Sequence, residues 1–142
     1  MGIRKKAYTL TEIVLAVMII GLIFSIVSVS LSEIRRSSRD TRRISDIAQI
    51  QLALEEYYRD EGFYPESLNL GENLIGSTTN RIYMIKIPQN PQPAATNCDP
   101  NNYQYTKDGE SYQIKFCLEK NIDEYNAGQN CLSPIGEVEC LP

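Results

Sequence analysis

Histidine and tryptophan are absent from this chain of 142 residues, and it holds no Asn-x-Ser/Thr sequon. Without imidazole, the usual general base near neutral pH and the commonest metal ligand are both missing. No Gly-x-Ser-x-Gly and no phosphate-binding glycine loop takes their place, and the paired acids Glu55-Glu56 and Asp60-Glu61 read as surface charge on a helix. No catalytic constellation stands out, so the chain is not expected to be an enzyme. The missing sequon argues against N-glycosylation and leaves O-linked modification open.

Charge is missing from one long stretch. From Ile13 to Leu31 there are nineteen residues without Asp, Glu, Lys or Arg, and at about 1.5 Å per helical residue they reach roughly 28 Å, near the thickness of a bilayer's hydrocarbon. Arg4, Lys5 and Lys6 precede the run with no acid among them, which keeps the N-terminus cytoplasmic and sends the rest across. The chain has fourteen basic and eighteen acidic residues; three of the basic ones and no acid lie in residues 1–7, so the chain from residue 8 carries eleven against eighteen, a net −7. Such a chain is a poor candidate for holding nucleic acid as its main ligand.

Cysteine is absent from the first two thirds. Cys98, Cys117, Cys131 and Cys140 all fall in the segment expected outside the cytoplasm, where two disulfides are the natural reading. Their spacing lacks the close pairs of a zinc site. Asp99, Asn101, Asp123 and Glu124 offer hard oxygen ligands for calcium but match no loop motif.

Gly and Pro are absent from Ser32 to Glu61, and Ile44, Ile47, Ala48, Leu54, Tyr57 and Tyr58 form an apolar stripe at helical spacing. This predicts that the N-terminal helix continues to Gly62, which stops it. The five arginines between Glu33 and Asp46 read as a solvated, salt-bridged face, with contact to lipid headgroups, partner subunits or DNA as the other readings. Residues 82–87 fit a strand or a helical turn equally. "YQYTKDGESYQIKFCLE" reads as a β-hairpin over residues 103–117, with Asp108-Gly109 as its turn, so that opposed residues sum to 217 and Cys98 falls near Cys117. That favours Cys98 with Cys117 and Cys131 with Cys140. The segment from Asn121 onward has turn residues and no period.

The apolar run alone fits a cleaved signal peptide, with Ser28-Val29-Ser30 as a small-x-small site, or a plain signal anchor. Neither explains Glu12 at its front edge. "KKAYTLTEIVLAVMIIGLI" resembles the N-terminal signature of type IV pilins and pseudopilins: a basic leader, a small residue, an aromatic, Thr-Leu-x-Glu and a long apolar helix. Tyr57, Gly62, Tyr64 and Pro65 resemble the "Y..D.G.YP" passage that follows the long helix in major pseudopilins and some Gram-positive or candidate-phylum pilins. Ala7 and Tyr8 stand where the family usually has Gly and Phe.

The resemblance implies an α+β pilin fold, with a long N-terminal helix, its first half transmembrane, packed under a small antiparallel sheet. It implies a leader 1–7, an apolar helix 8–31, its amphipathic second half 32–61, and a head 62–142 carrying hairpin 103–117 and a disulfide-closed tail 131–140. A prepilin peptidase would cut after Ala7 and methylate the new amine of Tyr8. Glu12 would pair with the Tyr8 amine of a neighbouring subunit, since a carboxylate in apolar packing needs a cation or takes a proton. Calcium near the C-terminal loop is a further trait of the major pseudopilins.

The implied partners are other copies and related pilins, the peptidase, an inner-membrane assembly platform, and the membrane before assembly. The chain would be a single-pass inner-membrane protein with its C-terminus outside, then an extracellular or periplasmic filament. The four cysteines and irregular tail favour a subunit of a type IV pilus used for adhesion, motility or DNA uptake; the "GFYP" passage favours a pseudopilin of a type II secretion system. A membrane-anchored extracellular binding module that does not polymerise is the reading from another class.

Overall fold

In a computed structural model, the described residues are 8–96 and 102–140, with the side chains of 26–30 set aside. The cleavage position Ala7, together with Cys98, Asp99 and Asn101, lies outside them. The chain divides into two units, Met1–Arg35 and Arg36–Pro142. One helix, α1 (Leu10–Glu61), contributes to both, and six strands follow it. The architecture is α+β, a long N-terminal helix with a small antiparallel sheet, consistent with a pilin fold.

Thr9 starts α1: its carbonyl and its hydroxyl both accept from the Glu12 N–H, at 3.1 and 3.4 Å, satisfying a donor that the first turn would leave orphaned. Gly62 ends it, donating to the Tyr58 carbonyl at 2.8 Å with φ +82°, a left-handed C′ position where a Cβ is costly. Within Arg36–Pro142 the buried face of α1 runs Asp40, Arg43, Ile47, Ile50, Leu54 and Tyr57, an alternation of three and four residues. Ala48 and Tyr58, expected on this stripe, are exposed. Both fall one residue off the alternation, while Ile50 and Ala53 take their places inside.

The arginine-rich turns carry the salt bridges expected of them, and Arg35, Arg36 and Arg42 are exposed, but the face is not solvated throughout. Arg43 and Asp40 are wholly buried. All five N–H donors of Arg43 are used: Nε donates to Asn90 Oδ1 (2.7 Å), Nη1 to Asp40 Oδ1 (2.6 Å) and Glu119 Oε1 (2.9 Å), and Nη2 to the carbonyls of Pro91 and Pro93 (3.2 and 3.1 Å). Asp40 accepts the backbone N–H of Glu119 and of Lys120, each at 3.0 Å, and Arg39 grips Glu119 with two bonds of 2.7 Å. Complete pairing is what makes burial of these charges tolerable.

Two short strands, β1 (Leu74–Ile75) and β2 (Ile82–Met84), pair antiparallel, which decides the segment left open between strand and turn. Glu61 fastens the connection between them to the end of α1, accepting from the N–H groups of Thr78 and Thr79 and from the Thr79 hydroxyl. A Cβ at Gly76 would overlap the Glu61 carboxylate and the Thr79 hydroxyl, so only glycine fits that approach.

β3 (Gln104–Asp108), β4 (Ser111–Leu118), β5 (Gly128–Ser133) and β6 (Gly136–Val138) form a meander in that order. Asp108 opposes Ser111 and Tyr105 opposes Ile114, so opposed residues sum to 219. The turn is Gly109-Glu110, one residue later than expected. Gly109 has φ +59° and Glu110 has no positive φ, the pattern of a type II′ turn. Because the offset moves each partner by two residues, the faces survive: Tyr103, Tyr112, Ile114 and Phe116 are buried with Ile47, Leu54 and Tyr57. β5 and β6 replace the irregular tail expected there.

Candidate assembly site

In the unit Met1–Arg35 every described side chain is exposed. Leu10 is 78 % exposed, and Ile13, Val14, Leu15, Val17, Met18, Ile19, Ile20, Leu22, Ile23 and Phe24 present their side chains to the surroundings in the same way. An exposed apolar surface this long calls for an apolar environment. Among the described residues, no helix is long and apolar enough to cross a membrane. The run proposed to span, Ile13–Leu31, includes residues 26–30, whose side chains lie outside the described set.

Glu12 sits in the first turn of α1, where the helix N-terminus favours a negative charge. Its carboxylate is exposed and makes no hydrogen bond or ion pair among the described residues. Thr9 and Glu12 stand three apart, as in a capping box, and half of that motif forms: the Thr9 hydroxyl accepts the Glu12 N–H. The spacing Thr-x-x-Glu was thus a local helix-start signal in addition to the resemblance it carries. Tyr8 is 75 % exposed just ahead of this turn. A Cβ added at Gly21 would meet nothing within 4 Å.

The head's second half is tied by a disulfide between Cys131 on β5 and Cys140, with Cα atoms 5.2 Å apart. Cys117 on β4 is also disulfide-bonded; Cys98, expected to join it, lies outside the described residues. Asp123, with φ +50°, and Glu124 are both exposed in the connection between β4 and β5. That connection is shaped by amides: Asn130 Nδ2 donates to the carbonyls of Asn126 and Gly128, and Asn121 Oδ1 accepts the Ala127 N–H. Among the described residues, no three His, Cys, Asp or Glu side chains gather to hold a metal.

Sequence reasoning missed the Glu119 cluster. Its ion pairs with Arg39 and Arg43 hold the Glu119 carboxyl down at about 2, against a usual 4.5. Counting the three-four alternation back from Leu54 through Ile47 would have placed Arg43 and Asp40 on the buried face. Elsewhere the Tyr64 hydroxyl donates to Glu55 at 3.1 Å, and burial together with that carboxylate pushes the phenol up to about 12. Pro65 accepts the Tyr105 hydroxyl at 2.7 Å, so the Tyr-Pro pair after Gly62 locks α1's exit onto β3.

No family model matches the chain, and no solved structure matches it. Over 99 residues it is 26% identical to a type II secretion system core protein G of Pectobacterium carotovorum, which covers 63% of this chain and 64% of that protein. Over 142 aligned positions, 94% of this chain and 91% of its relative, it is 25% identical to the type II secretion system core protein G of Vibrio cholerae, and these similarities support a place in the pilin and pseudopilin family.

Proposed function

We propose that this chain is a pseudopilin, a structural and non-catalytic subunit that polymerises through its N-terminal helix within a type II secretion system. The observation that carries the proposal is similarity to a core protein of such a system along 94% of the chain, together with the exposed apolar helix that only lipid or other helices can cover. The pilus subunit favoured by the cysteines and the tail gives way, because both relatives belong to secretion systems and the tail forms ordered strands.

On this reading the chain starts as a single-pass inner-membrane protein, its apolar helix 8–31 in the bilayer. Peptidase cleavage after Ala7 frees the amine of Tyr8 for methylation, and Glu12 pairs with that amine on a neighbouring copy as the helix leaves lipid for the filament core. Cys98 and Cys117 close the second disulfide.

Deleting the gene in its host and restoring it as wild type or Glu12→Ala tests this. Leaving a buried charge without its partner costs about 3–5 kcal/mol, so Glu12→Ala should stay in the membrane fraction while export of secreted enzymes falls about a hundredfold. N-terminal sequencing of the mature wild type should begin at methylated Tyr8. Normal export with loss of surface pili would make the chain a pilus subunit instead, and normal export with intact pili would leave the anchored binding module.

A further inference from the structure

Within Arg36–Pro142, β4 runs from the level of Glu55 on α1, which the Tyr112 hydroxyl approaches at 3.5 Å, to the level of Asp40, which accepts the Glu119 N–H. The two ends of this unit are therefore roughly 24 Å apart along the strand, and they differ in charge. At the Asp40 end, Arg36, Arg39 and Arg43 all pair with Glu119. Arg42, one residue from Arg43 on the exposed side of α1, makes no hydrogen bond or ion pair among the described residues. Ser38 and Ser45 flank it on that exposed side, the largely buried Asp46 lies one turn on within electrostatic reach, and Arg42 itself stays exposed.

At the opposite end, the β3–β4 and β5–β6 turns lie together and border a recess of about 270 Å³. Ile135, 91 % exposed, and Val138 contribute apolar lining, and Asp108 and Glu139 line it as well. None of the carboxylates of Asp108, Glu110, Glu137 and Glu139 makes a hydrogen bond or ion pair among the described residues. A recess lined by both apolar side chains and acidic residues suits an arginine, whose methylene stem lies on hydrocarbon while its fork meets a carboxylate.

We infer that the occupant is a second copy of this chain: Arg42 of one copy enters the recess between Asp108 and Glu139 of the next. The complementary features sit at opposite ends of one unit, so the contact is head-to-tail, and a heterologous contact of this kind repeats into an open helical array. The inference rests on the filament reading and deepens it by assigning which surfaces of the heads meet. Complementary charge of this sort sets register and rejects wrong arrangements more than it adds affinity.

The experiment uses the full chain overproduced in its host, with filaments sheared from the cells. Arg42→Glu alone, and Asp108→Lys with Glu139→Lys, should each cut sheared filament about tenfold or more through like-charge contact, with membrane-fraction levels unchanged. Combining all three should restore the yield. As a second measurement that leaves the fold and the charge intact, Arg42→Lys filaments treated with a carbodiimide should give intermolecular peptides joining position 42 to Asp108 or Glu139. Single reversals without effect, a combination that fails to restore, or cross-links from position 42 to another protein would overturn the inference while wild-type filaments persist. Absence of filaments from the wild type would instead sink the filament reading itself.

Discussion

Arg43 shows how one side chain decides where a helix face ends. A guanidinium wholly buried among five acceptors is a rigid fork matched to two carboxylates, one amide and two carbonyls, and lysine could serve only part of that set. Glu119 shares this cluster, and its folded-state carboxyl is depressed to about 2, chiefly by the bond from Arg39. A depressed acid stabilises the fold above its unfolded value and loses that contribution as pH falls through the folded one. Stability should therefore drop between about pH 4.5 and pH 2 by up to roughly 3 kcal/mol. Urea midpoints measured across that range should fall steeply for the wild type and flatten for Glu119→Gln; equal slopes would show that Glu119 is not the group responsible. The cluster escaped sequence reading because arginine and aspartate are ordinarily surface residues, and only the continuation of the apolar alternation marks these two as inward.

Among the elements, α1 and the β3–β4 hairpin were legible because their periods are strong: no Gly or Pro between Ser32 and Glu61, and aromatic alternation on both sides of Gly109. The turn position slipped by one residue because Asp-Gly and Gly-Glu both offer a glycine with positive φ, and only the choice between type I′ and type II′ separates them. β5 was illegible for a different reason. "GQNCLS" places Asn130, Cys131, Leu132 and Ser133 all in buried positions, so no alternation exists to be seen. Its Cys131–Cys140 bridge closes a short loop. In the chain-entropy account, removing it as Cys131→Ala with Cys140→Ala should cost about 2–3 kcal/mol, read as a lower midpoint in chemical denaturation. An unchanged midpoint would mean that β6 holds the tail without it.

Across the whole molecule, the folded core and the exposed apolar run occupy different stretches of chain. Every buried residue of the hydrophobic core lies at Ile47 or later, and Asp40 and Arg43 are within Arg36–Pro142 as well. A fragment Arg36–Pro142 should therefore fold by itself, unfold cooperatively with about 5–15 kcal/mol, as befits its size, and run as a monomer in sizing columns. The full chain, with its exposed apolar helix, should need detergent or lipid to stay dispersed. A fragment that aggregates or lacks a cooperative transition would show that residues before Arg36 complete the core. Of the candidate site, the signature around Glu12 could be read in the residues, whereas its pairing with the Tyr8 amine of a neighbouring copy came from the resemblance alone, since contacts between copies leave no periodic pattern in one sequence.

The grip of the head on α1 has a mechanical consequence. Arg43 and Glu61 are both on that helix, and each holds a separate loop: Arg43 the carbonyls of Pro91 and Pro93, Glu61 the Thr78-Thr79 turn. A pull along the helix axis loads these two fastenings in shear and together, so neither can be peeled open before the other. The head cannot slide by a turn on the stretch of α1 from Arg43 to Glu61 without breaking both, so a load carried along that stretch reaches the two loops together.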